Sequence, residues 1–368
     1  MKNSFLFLTP ILFLFLSCGN SQTSKTVNNQ TFNKESVTQA RSELIFDHTK
    51  VFPNNTQLAF AFIENGRVKF YGVEKRNDTI FTIKNRQNAF EIGSITKVFN
   101  ATLLADFVLE NKVQLDDPIN PYYDFEFNNG QVITFKTLAN HTSGLPRMPS
   151  NLDFDIGNQD PFSAYDSEKL KYYLTNEMEL SFDEDGTYEY SNLGAGLLGY
   201  TLSKIGEKSL NQLFQERIFS KYNMPNSTIG SENVSVFLVQ GQSPEGQPVQ
   251  NWNLASLSGA GDMISTAEDL SKFVMAQFQE NDETLALTRT KTHTMNDTSS
   301  IGLGWHMRKG SSGENWIWHN GGTGGYTSCM AMNTENKNGV IVLSNVSALG
   351  DPMIHIDELC FELMKTLK

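Results

Sequence analysis

The chain of 368 residues is 39% hydrophobic and 11% aromatic, which is enough apolar material for one large core or two closely packed lobes. Its net charge of −12 and its pI near 5.0 argue against nucleic acid or an anionic membrane surface as a partner. Three cysteines without a C-x-x-C pair and six histidines without an H-E-x-x-H motif argue against a disulfide framework and a zinc site. We therefore expect no metal and no cofactor, and we expect Cys329 and Cys360 to be buried thiols.

The N-terminus has the pattern of an export signal. A short basic start is followed by an apolar run from Phe5 to Leu16 that is too short to span a bilayer. Leu16-Ser17-Cys18-Gly19 then resembles the cleavage site of a bacterial lipoprotein. Residues 1–18 are therefore predicted to be a lipoprotein-type signal peptide, with Cys18 as the lipidated residue at the periplasmic face of a bacterial membrane. Phe15 stands where that pattern usually has leucine, so ordinary cleavage of an exported protein stays open.

Residues 19–34 are rich in Asn, Thr, Ser and Gln, which predicts a flexible tether, and residues 35–368 are predicted to form the folded unit. Val37 to His48 has the apolar spacing of a helix. The β-rich runs Gln57 to Ile63 and Arg67 to Val73 flank an Asn-Gly pair, which is the strongest short-range signal for a hairpin.

The middle of the chain differs from its two ends. From about residue 94 to about residue 255 helical spacing is more frequent than strand alternation, and after about residue 256 strands return. The later elements are predicted as a helix at Thr266 to Phe278, strands at Gly302 to Met307, Trp316 to His319, Tyr326 to Met332 and Val340 to Leu343, and a closing helix at Asp351 to Leu367. We therefore predict an α+β fold, in which an antiparallel sheet flanked by the N- and C-terminal helices forms one lobe (about 35–93 and 256–368). A mostly helical inserted lobe (about 94–255) would be joined to it at the kind of junction where ligand clefts form.

Ser94 and Lys97 form the only Ser-x-x-Lys motif in the chain. Positions three apart on a helix share a face, so the amine of Lys97 can reach the hydroxyl of Ser94. A lysine whose pKa is lowered by burial can take the hydroxyl proton and make the serine a nucleophile. The helix that follows is apolar nearly all round, which predicts that it is buried. Alone, the motif also fits a helix-capping serine and a solvated lysine.

Tyr190-Ser191-Asn192 is the only Tyr-x-Asn motif in the chain. A tyrosine near a lysine can be partly ionised and carry a proton, and an asparagine amide can orient both an amine and a substrate carbonyl. A half-buried core tyrosine before a turn is the structural alternative.

His319 ends a predicted strand and is followed by Asn320-Gly321-Gly322-Thr323-Gly324-Gly325. Four glycines in six residues pack poorly in a strand, but they suit a backbone that approaches a ligand and offers its N–H groups. A glycine-rich hairpin with an incidental histidine is the alternative.

Together, the serine–lysine, tyrosine–asparagine and histidine–glycine motifs resemble those of the penicillin-recognising serine hydrolases, which include class C β-lactamases, D-Ala-D-Ala carboxypeptidases and related esterases. The resemblance covers roughly Val37 to Lys368. Further segments are similar in the same order: Leu138 to Pro146, Ser258 to Phe273 and Gly302 to Trp305.

The resemblance implies the catalytic roles. Ser94 would be the nucleophile and Lys97 its activating partner. Tyr190 would be the general base, which later protonates the leaving group. The backbone N–H groups of Ser94 and Gly322 would form the oxyanion hole.

The resemblance also implies the substrate-binding residues Asn192, His319 and Gly321, and a structural role for His141. Class C β-lactamases have lysine where this chain has His319. A histidine with an ordinary pKa of about 6.5 is mostly neutral at pH 7, so we expect activity on carboxylate-bearing substrates to fall as the pH rises through that pKa.

The sequence therefore predicts an exported serine hydrolase that forms an acyl-enzyme at Ser94 and hydrolyses amides in the manner of a β-lactamase or a D-Ala-D-Ala carboxypeptidase. Its substrate would be a small molecule or a peptidoglycan peptide. An esterase or D-amino-acid peptidase acting on small acyl compounds is the alternative with the same fold. A non-catalytic lipoprotein that binds penicillin or the cell wall is the alternative from another class.

Overall fold

A computed structural model describes residues 26–33, 37–154, 160–181, 186–310 and 313–367. The predicted signal peptide and its Cys18 lie outside these residues. No helix in the described ranges is long and apolar enough to cross a membrane.

The centre of the fold is a ten-stranded sheet built from both ends of the chain, and a three-stranded sheet lies beside it. The strands are β1 Asn28–Gln30, β2 Gln57–Glu64, β3 Arg67–Arg76, β4 Thr79–Thr82, β5 Ala89–Glu91, β6 Thr228–Ile229, β7 Met263–Thr266, β8 His293–Asn296, β9 Ser299–Ile301, β10 His306–Lys309, β11 Asn315–Gly322, β12 Thr327–Asn333 and β13 Asn338–Ser344. The large sheet has the order β1-β4-β3-β2-β13-β12-β11-β10-β9-β8, and the small sheet has the order β5-β7-β6. The pairing of β2 with β13 joins the N-terminal strands to the C-terminal ones, as the sequence predicts.

Helices cover both faces of the large sheet. They are α1 Gln39–Thr49, α2 Thr96–Leu109, α3 Phe135–Ala139, α4 Ser167–Tyr172, α5 Asn192–Gly206, α6 Leu210–Phe214, α7 Ala267–Gln277, α8 Glu283–Arg289 and α9 Pro352–Lys365. Helices α1 and α9 pack on one face, and α2 and the other helices of the inserted lobe lie on the opposite side. The predicted α+β fold with a helical inserted lobe is confirmed.

Strand β2 contributes side chains to two hydrophobic cores, one on each face of the large sheet. Side chains alternate between the faces of a sheet, so Phe60 and Phe62 enter the core beneath α1 and α9. Ala59 and Ala61 enter the core shared with the helical lobe, where small side chains let the helices approach closely.

The predicted hairpin between β2 and β3 is present. Its two central residues, Asn65 and Gly66, have φ values of 50° and 72°, as a two-residue type I′ turn requires.

One expectation needs correction, and the small sheet adds a feature that was not predicted. The predicted tether is partly ordered, because Asn28–Gln30 forms the edge strand β1, which pairs with β4 in parallel, so the sheet is not wholly antiparallel. The Thr31 side chain holds this segment to α1 through the Ser42 hydroxyl, 2.7 Å away. The small sheet also joins the two lobes, since β6 comes from the inserted lobe and pairs with β7.

Cys329 and Cys360 are free and buried, as predicted.

Candidate active site

Ser94 lies in the short 3-10 turn Gly93–Ile95, which links β5 to α2 at the junction between the lobes. Gly93 has a φ of +51°, and a Cβ there would lie 2.4 Å from the backbone nitrogen of Gly322. Only glycine fits this close approach, so the turn brings the start of α2 directly against the end of β11.

Lys97 is 3% exposed in the first turn of α2. Its Nζ lies 3.0 Å from Ser94 Oγ, 2.8 Å from Asn192 Oδ1 and 2.6 Å from the carbonyl oxygen of Ala260. The serine–lysine and tyrosine–asparagine motifs predicted from the sequence are thus in direct contact.

Burial, and then the positive charge of Arg147, lower the pKa of Lys97 well below its ordinary value. The two oxygens of Asn192 and Ala260 can only accept hydrogen bonds. In its neutral form the Lys97 amine can donate its two hydrogens to them and turn its lone pair toward the hydroxyl of Ser94. This is the arrangement of a general base on a serine nucleophile.

Tyr190 is the second proton carrier at Ser94, to which its hydroxyl is hydrogen-bonded. Burial raises the pKa of Tyr190 to about 12, so the hydroxyl is protonated at neutral pH. Its ring lies 4.9 Å from Lys97 Nζ and 5.0 Å from the guanidinium of Arg147. Burial thus favours the neutral form of Lys97 and the protonated form of Tyr190, which differs from the partly ionised tyrosine expected from the sequence.

His141 positions Tyr190. Its ring lies 4.5 Å from the Tyr190 ring, and its Nδ1 accepts a hydrogen bond from the backbone N–H of Ser191 at 3.2 Å. Burial lowers the pKa of His141 well below its ordinary value, so Nδ1 is available as an acceptor. These contacts fit the structural role expected for His141.

The predicted oxyanion donors lie close together. The N–H of Thr323 donates to the carbonyl of Tyr326 at 2.9 Å. Because hydrogen-bonded and non-bonded pairs alternate in an antiparallel ladder, the N–H of the preceding Gly322 points away from β12. It faces the turn that carries Ser94, and two N–H groups at this position can bind a developing oxyanion.

The structure places His319 and Gly321 behind the cleft wall rather than in the cleft. His319 is 1% exposed, and burial lowers its pKa well below the ordinary value. Its Nδ1 lies 2.6 Å from the carbonyl of Asn320. A Cβ on Gly321 would lie 1.9 Å from the carbonyl of Ile92, so this glycine serves close packing. The expected contact of His319 with a substrate carboxylate and its titration near pH 6.5 are not supported by this buried position.

The cleft in front of Ser94 has a volume of about 600 Å³ and mostly apolar walls. Apolar side chains from both lobes line it: Met148, Phe154, Phe162, Trp252, Leu254, Leu257, Leu349 and Met353. Such walls suit a substrate with an apolar group next to the bond that is cleaved.

Sequence reasoning missed two residues of the cleft, Arg147 and His306. Burial lowers the pKa of His306 to about 4, so its ring is neutral, and it lies 5.0 Å from the ring of His319. Arg147 is exposed and is the one permanent cation among the described residues that line the cleft. Its carbonyl accepts hydrogen bonds from the N–H groups of Asn192 and Leu193. Both missed residues directly follow segments on which the family resemblance depends, which is the signal that could have found them.

One wall of the cleft is fixed by three carboxylates. Consecutive backbone N–H groups of residues 252, 253 and 254 donate to Glu91, Asp160 and Asp262, respectively. Burial raises the pKa of Glu91 and of Asp262 to about 7. These contacts position Trp252 and Leu254 in the cleft wall.

The comparisons with known proteins agree with this arrangement. The Beta-lactamase family model matches residues 54–359. Beta-lactamase-like protein 2 of Dictyostelium discoideum is 30% identical over 280 residues, which cover 70% of this chain and 49% of that protein. Unguisins hydrolase ungD' of Aspergillus campestris is 27% identical over 295 residues, which cover 72% of this chain and 53% of that protein. The chain thus spans about half the length of these two relatives.

Solved structures show the same fold. The octameric penicillin-binding protein homologue of Pyrococcus abyssi matches with a TM-score of 0.72 at 21% identity, over 89% of this chain and 77% of that one. The beta-lactamase/D-alanine carboxypeptidase of Yersinia pestis matches with a TM-score of 0.71 at 22% identity, over 88% of this chain and 95% of that one. The family model covers most of the chain, and Ser94, Lys97 and Tyr190 meet at the junction between the lobes. The chain therefore belongs to the Beta-lactamase family.

Proposed function

We propose that the protein is a serine hydrolase that forms an acyl-enzyme at Ser94 and hydrolyses amides of the β-lactam or D-amino-acid peptide type. The contact set of Lys97 is the observation that carries the proposal. Two of its three partners accept hydrogen bonds only, which leaves the lone pair of the amine for the proton of Ser94.

The first half of the reaction follows from these contacts. Lys97 takes the proton of the Ser94 hydroxyl as Oγ bonds to the substrate carbonyl carbon, and the N–H groups of Ser94 and Gly322 bind the oxyanion. When the bond to the leaving nitrogen breaks, the hydroxyl of Tyr190 gives that nitrogen its proton, and the ammonium of Lys97 returns a proton to Tyr190. Free amine and the Ser94 ester result.

In the second half, water attacks the ester carbonyl and its proton passes to the Lys97–Tyr190 pair. The oxyanion donors act again, and the Ser94–acyl bond breaks with return of a proton to Oγ. Acid and Ser94 hydroxyl are regenerated.

Arg147 would select substrates that carry a carboxylate. It replaces His319 in this role because the guanidinium lies at the cleft while the buried imidazole does not line it. A guanidinium binds a carboxylate through two parallel hydrogen bonds, so we propose an acyl substrate with an apolar side group and a free carboxylate on the Arg147 side.

The first experiment compares nitrocefin, D-Ala-D-Ala peptides and p-nitrophenyl butyrate, with Ser94→Ala as the blank. Turnover of nitrocefin or release of D-alanine that is absent in the blank would support amide hydrolysis. Butyrate cleavage alone would favour an esterase, which the mostly apolar cleft walls also suit. No turnover, and no labelling of Ser94 by a fluorescent penicillin or a fluorophosphonate, would overturn the proposal and favour a non-catalytic binding protein.

We also propose export with a lipid anchor at Cys18, on the basis of residues 1–19 alone. Expression of the full chain with labelled palmitate should place label and protein in the membrane fraction. The variant Cys18→Ser should lose both, and label retained by that variant would contradict the proposal.

A further inference from the structure

Two histidines from opposite ends of the chain meet on the face of the sheet that is covered by α1 and α9. His48 lies in the last turn of α1, and His355 lies in the first turn of α9. Glu358, one turn further along α9, completes a group in which one potential ligand atom of each residue lies within 4.8 Å of the others. This cluster is separate from the catalytic cleft, which none of the three side chains lines.

The hydrogen bonding of His48 leaves one ring nitrogen available. Its Nε2 lies 3.2 Å from the carboxylate of Glu362, which can only accept when ionised, so Nε2 of the neutral ring carries the hydrogen. Nδ1 then keeps its lone pair, and it is buried without a hydrogen-bond partner among the described residues. A histidine that ligates a metal typically donates its other ring N–H to a carboxylate in this way.

The two rings have a separation that one bridging ion can span. Their centroids are 5.8 Å apart and their planes meet at 71°. Zinc lies about 2.0–2.1 Å from an imidazole nitrogen, which sets the centroids of two rings on one ion about 5 to 6 Å apart. The observed centroid distance lies within this range.

The spacing along α9 also fits. His355, Glu358 and Glu362 occupy positions i, i+3 and i+7, so they share one face of the helix. That face packs against α1, which supplies His48. Glu358 thus belongs to the cluster, and Glu362 contacts His48 from the same helix face.

We propose that His48, His355 and Glu358 form a binding site for a divalent transition-metal ion of the zinc type. Two imidazoles and one carboxylate are borderline ligands that suit zinc, and they do not suit calcium or magnesium, which bind oxygen ligands. Water or the carboxylate of Glu362 would complete the coordination.

The ion would fix the first turn of α9 against α1. Met353, two residues before His355, lines the catalytic cleft. Asp357 accepts a hydrogen bond at 2.6 Å from the side-chain amide of Asn320, which also lines the cleft. Metal bound on this face would therefore stabilise the part of α9 that supports one wall of the cleft.

No local motif predicted this site, because its two histidines come from the first and last helices. The expectation of no zinc site rested on local spacing alone.

The test uses full-length protein stripped with EDTA and dialysed, titrated with zinc chloride by calorimetry without substrate. We expect one ion per chain with micromolar affinity, and a rise in the melting temperature of a few degrees at saturating zinc. His48→Ala and His355→Ala should each weaken binding at least tenfold, and Glu358→Gln should weaken it less. His293→Ala is the matched control, because His293 lies on the edge strand β8 and should bind no zinc.

The alternative source of binding is the group of histidines at the cleft and behind its wall, His141, His306 and His319, and the same titration separates them. Binding that persists in His48→Ala and His355→Ala but is lost in His306→Ala would overturn the proposal, as would the absence of stoichiometric binding. Melting temperatures of the metal-free variants show whether each still folds. Because no substrate is used, failure of this site is independent of the proposed acyl-enzyme.

Discussion

The floor and the rim of the cleft carry opposite kinds of basic side chain. On the floor, beside Ser94, Lys97 is almost fully buried, and burial lowers its pKa. His319, behind the cleft wall, is buried as well, and its pKa is also lowered. On the rim, Arg147 is exposed and stays charged. Burial lowers the pKa of a basic side chain, so that it can accept a proton, whereas exposure keeps a positive charge that can bind an anion. In the proposed mechanism, catalysis and recognition of charge are thus separated between the two regions.

Removal of the Lys97 amine should have the largest effect on activity. Lys97→Ala should lower the rate of acylation by about 10³-fold or more, because Ser94 loses the amine that takes its proton. The rate is measured as labelling by a fluorophosphonate or as turnover of the best substrate found. Lys291→Ala, which changes an exposed lysine, is the control, and its circular dichroism and melting temperature are compared with those of Lys97→Ala. Acylation at the wild-type rate in Lys97→Ala would exclude the amine as the base.

Tyr190→Phe should have the next largest effect. Loss of the hydroxyl removes the proton donor to the leaving group, with a fall in kcat of about 10²-fold on amide substrates. A p-nitrophenyl ester needs no such proton, because its leaving group is stable as an anion, so the fall should be smaller there. Equal losses on amide and ester would assign Tyr190 a structural role instead. Tyr188→Phe, which changes a neighbouring tyrosine whose ring contacts His141, is the matched control.

The variant Arg147→Gln tests whether the guanidinium at the rim of the cleft binds a substrate carboxylate. If the guanidinium binds a carboxylate, the ratio of kcat/KM for a carboxylate-bearing substrate to that for its methyl ester should fall about tenfold or more, since hydrogen bonds to charged groups contribute about 1.5–3 kcal/mol. A ratio that does not change would remove Arg147 from substrate recognition. Arg147→Lys keeps the charge without the fork of donors and should recover part of the ratio.

The variant Arg147→Gln also tests whether the charge at the rim affects the pKa of Lys97. The charge of Arg147 contributes to the lowered pKa of Lys97, so its loss should raise that pKa. The acid limb of kcat/KM, where activity is lost as Lys97 gains a proton, should therefore move to higher pH in Arg147→Gln. A limb that stays in place would show that burial alone sets the pKa of Lys97.

The buried carboxyl group of Glu91 should make the stability of the folded protein depend on pH. Burial raises its pKa in the folded state from 4.5 to about 7, so the folded protein holds a proton that the unfolded chain releases above pH 4.5. The contribution of this proton to the free energy of unfolding is complete below pH 4.5 and is lost as the pH rises through 7. We expect chemical denaturation to show a fall in stability across this range that becomes shallower in Glu91→Gln. Glu268→Gln, at a carboxylate with no such burial, should keep the wild-type slope.

The sequence by itself determined much of this protein. Local patterns predicted the sheet, the hairpin and the burial of Lys97: the β-rich run Gln57 to Ile63, the Asn65-Gly66 turn and the apolar helix after Ser94. Composition, periodicity and turn chemistry are local properties that can be read from the sequence. The motifs also predicted that Ser94, Lys97, Tyr190 and Asn192 would meet.

Only the tertiary structure decided the rest, because burial and long-range contacts are not local. Packing placed His319 behind the cleft wall and Arg147 at the cleft, although the motif pattern favoured the histidine. Burial keeps Tyr190 protonated at neutral pH and lowers the pKa of Lys97. The fold of the two chain ends against one sheet brought His48 to His355, a contact that depends on three-dimensional position alone.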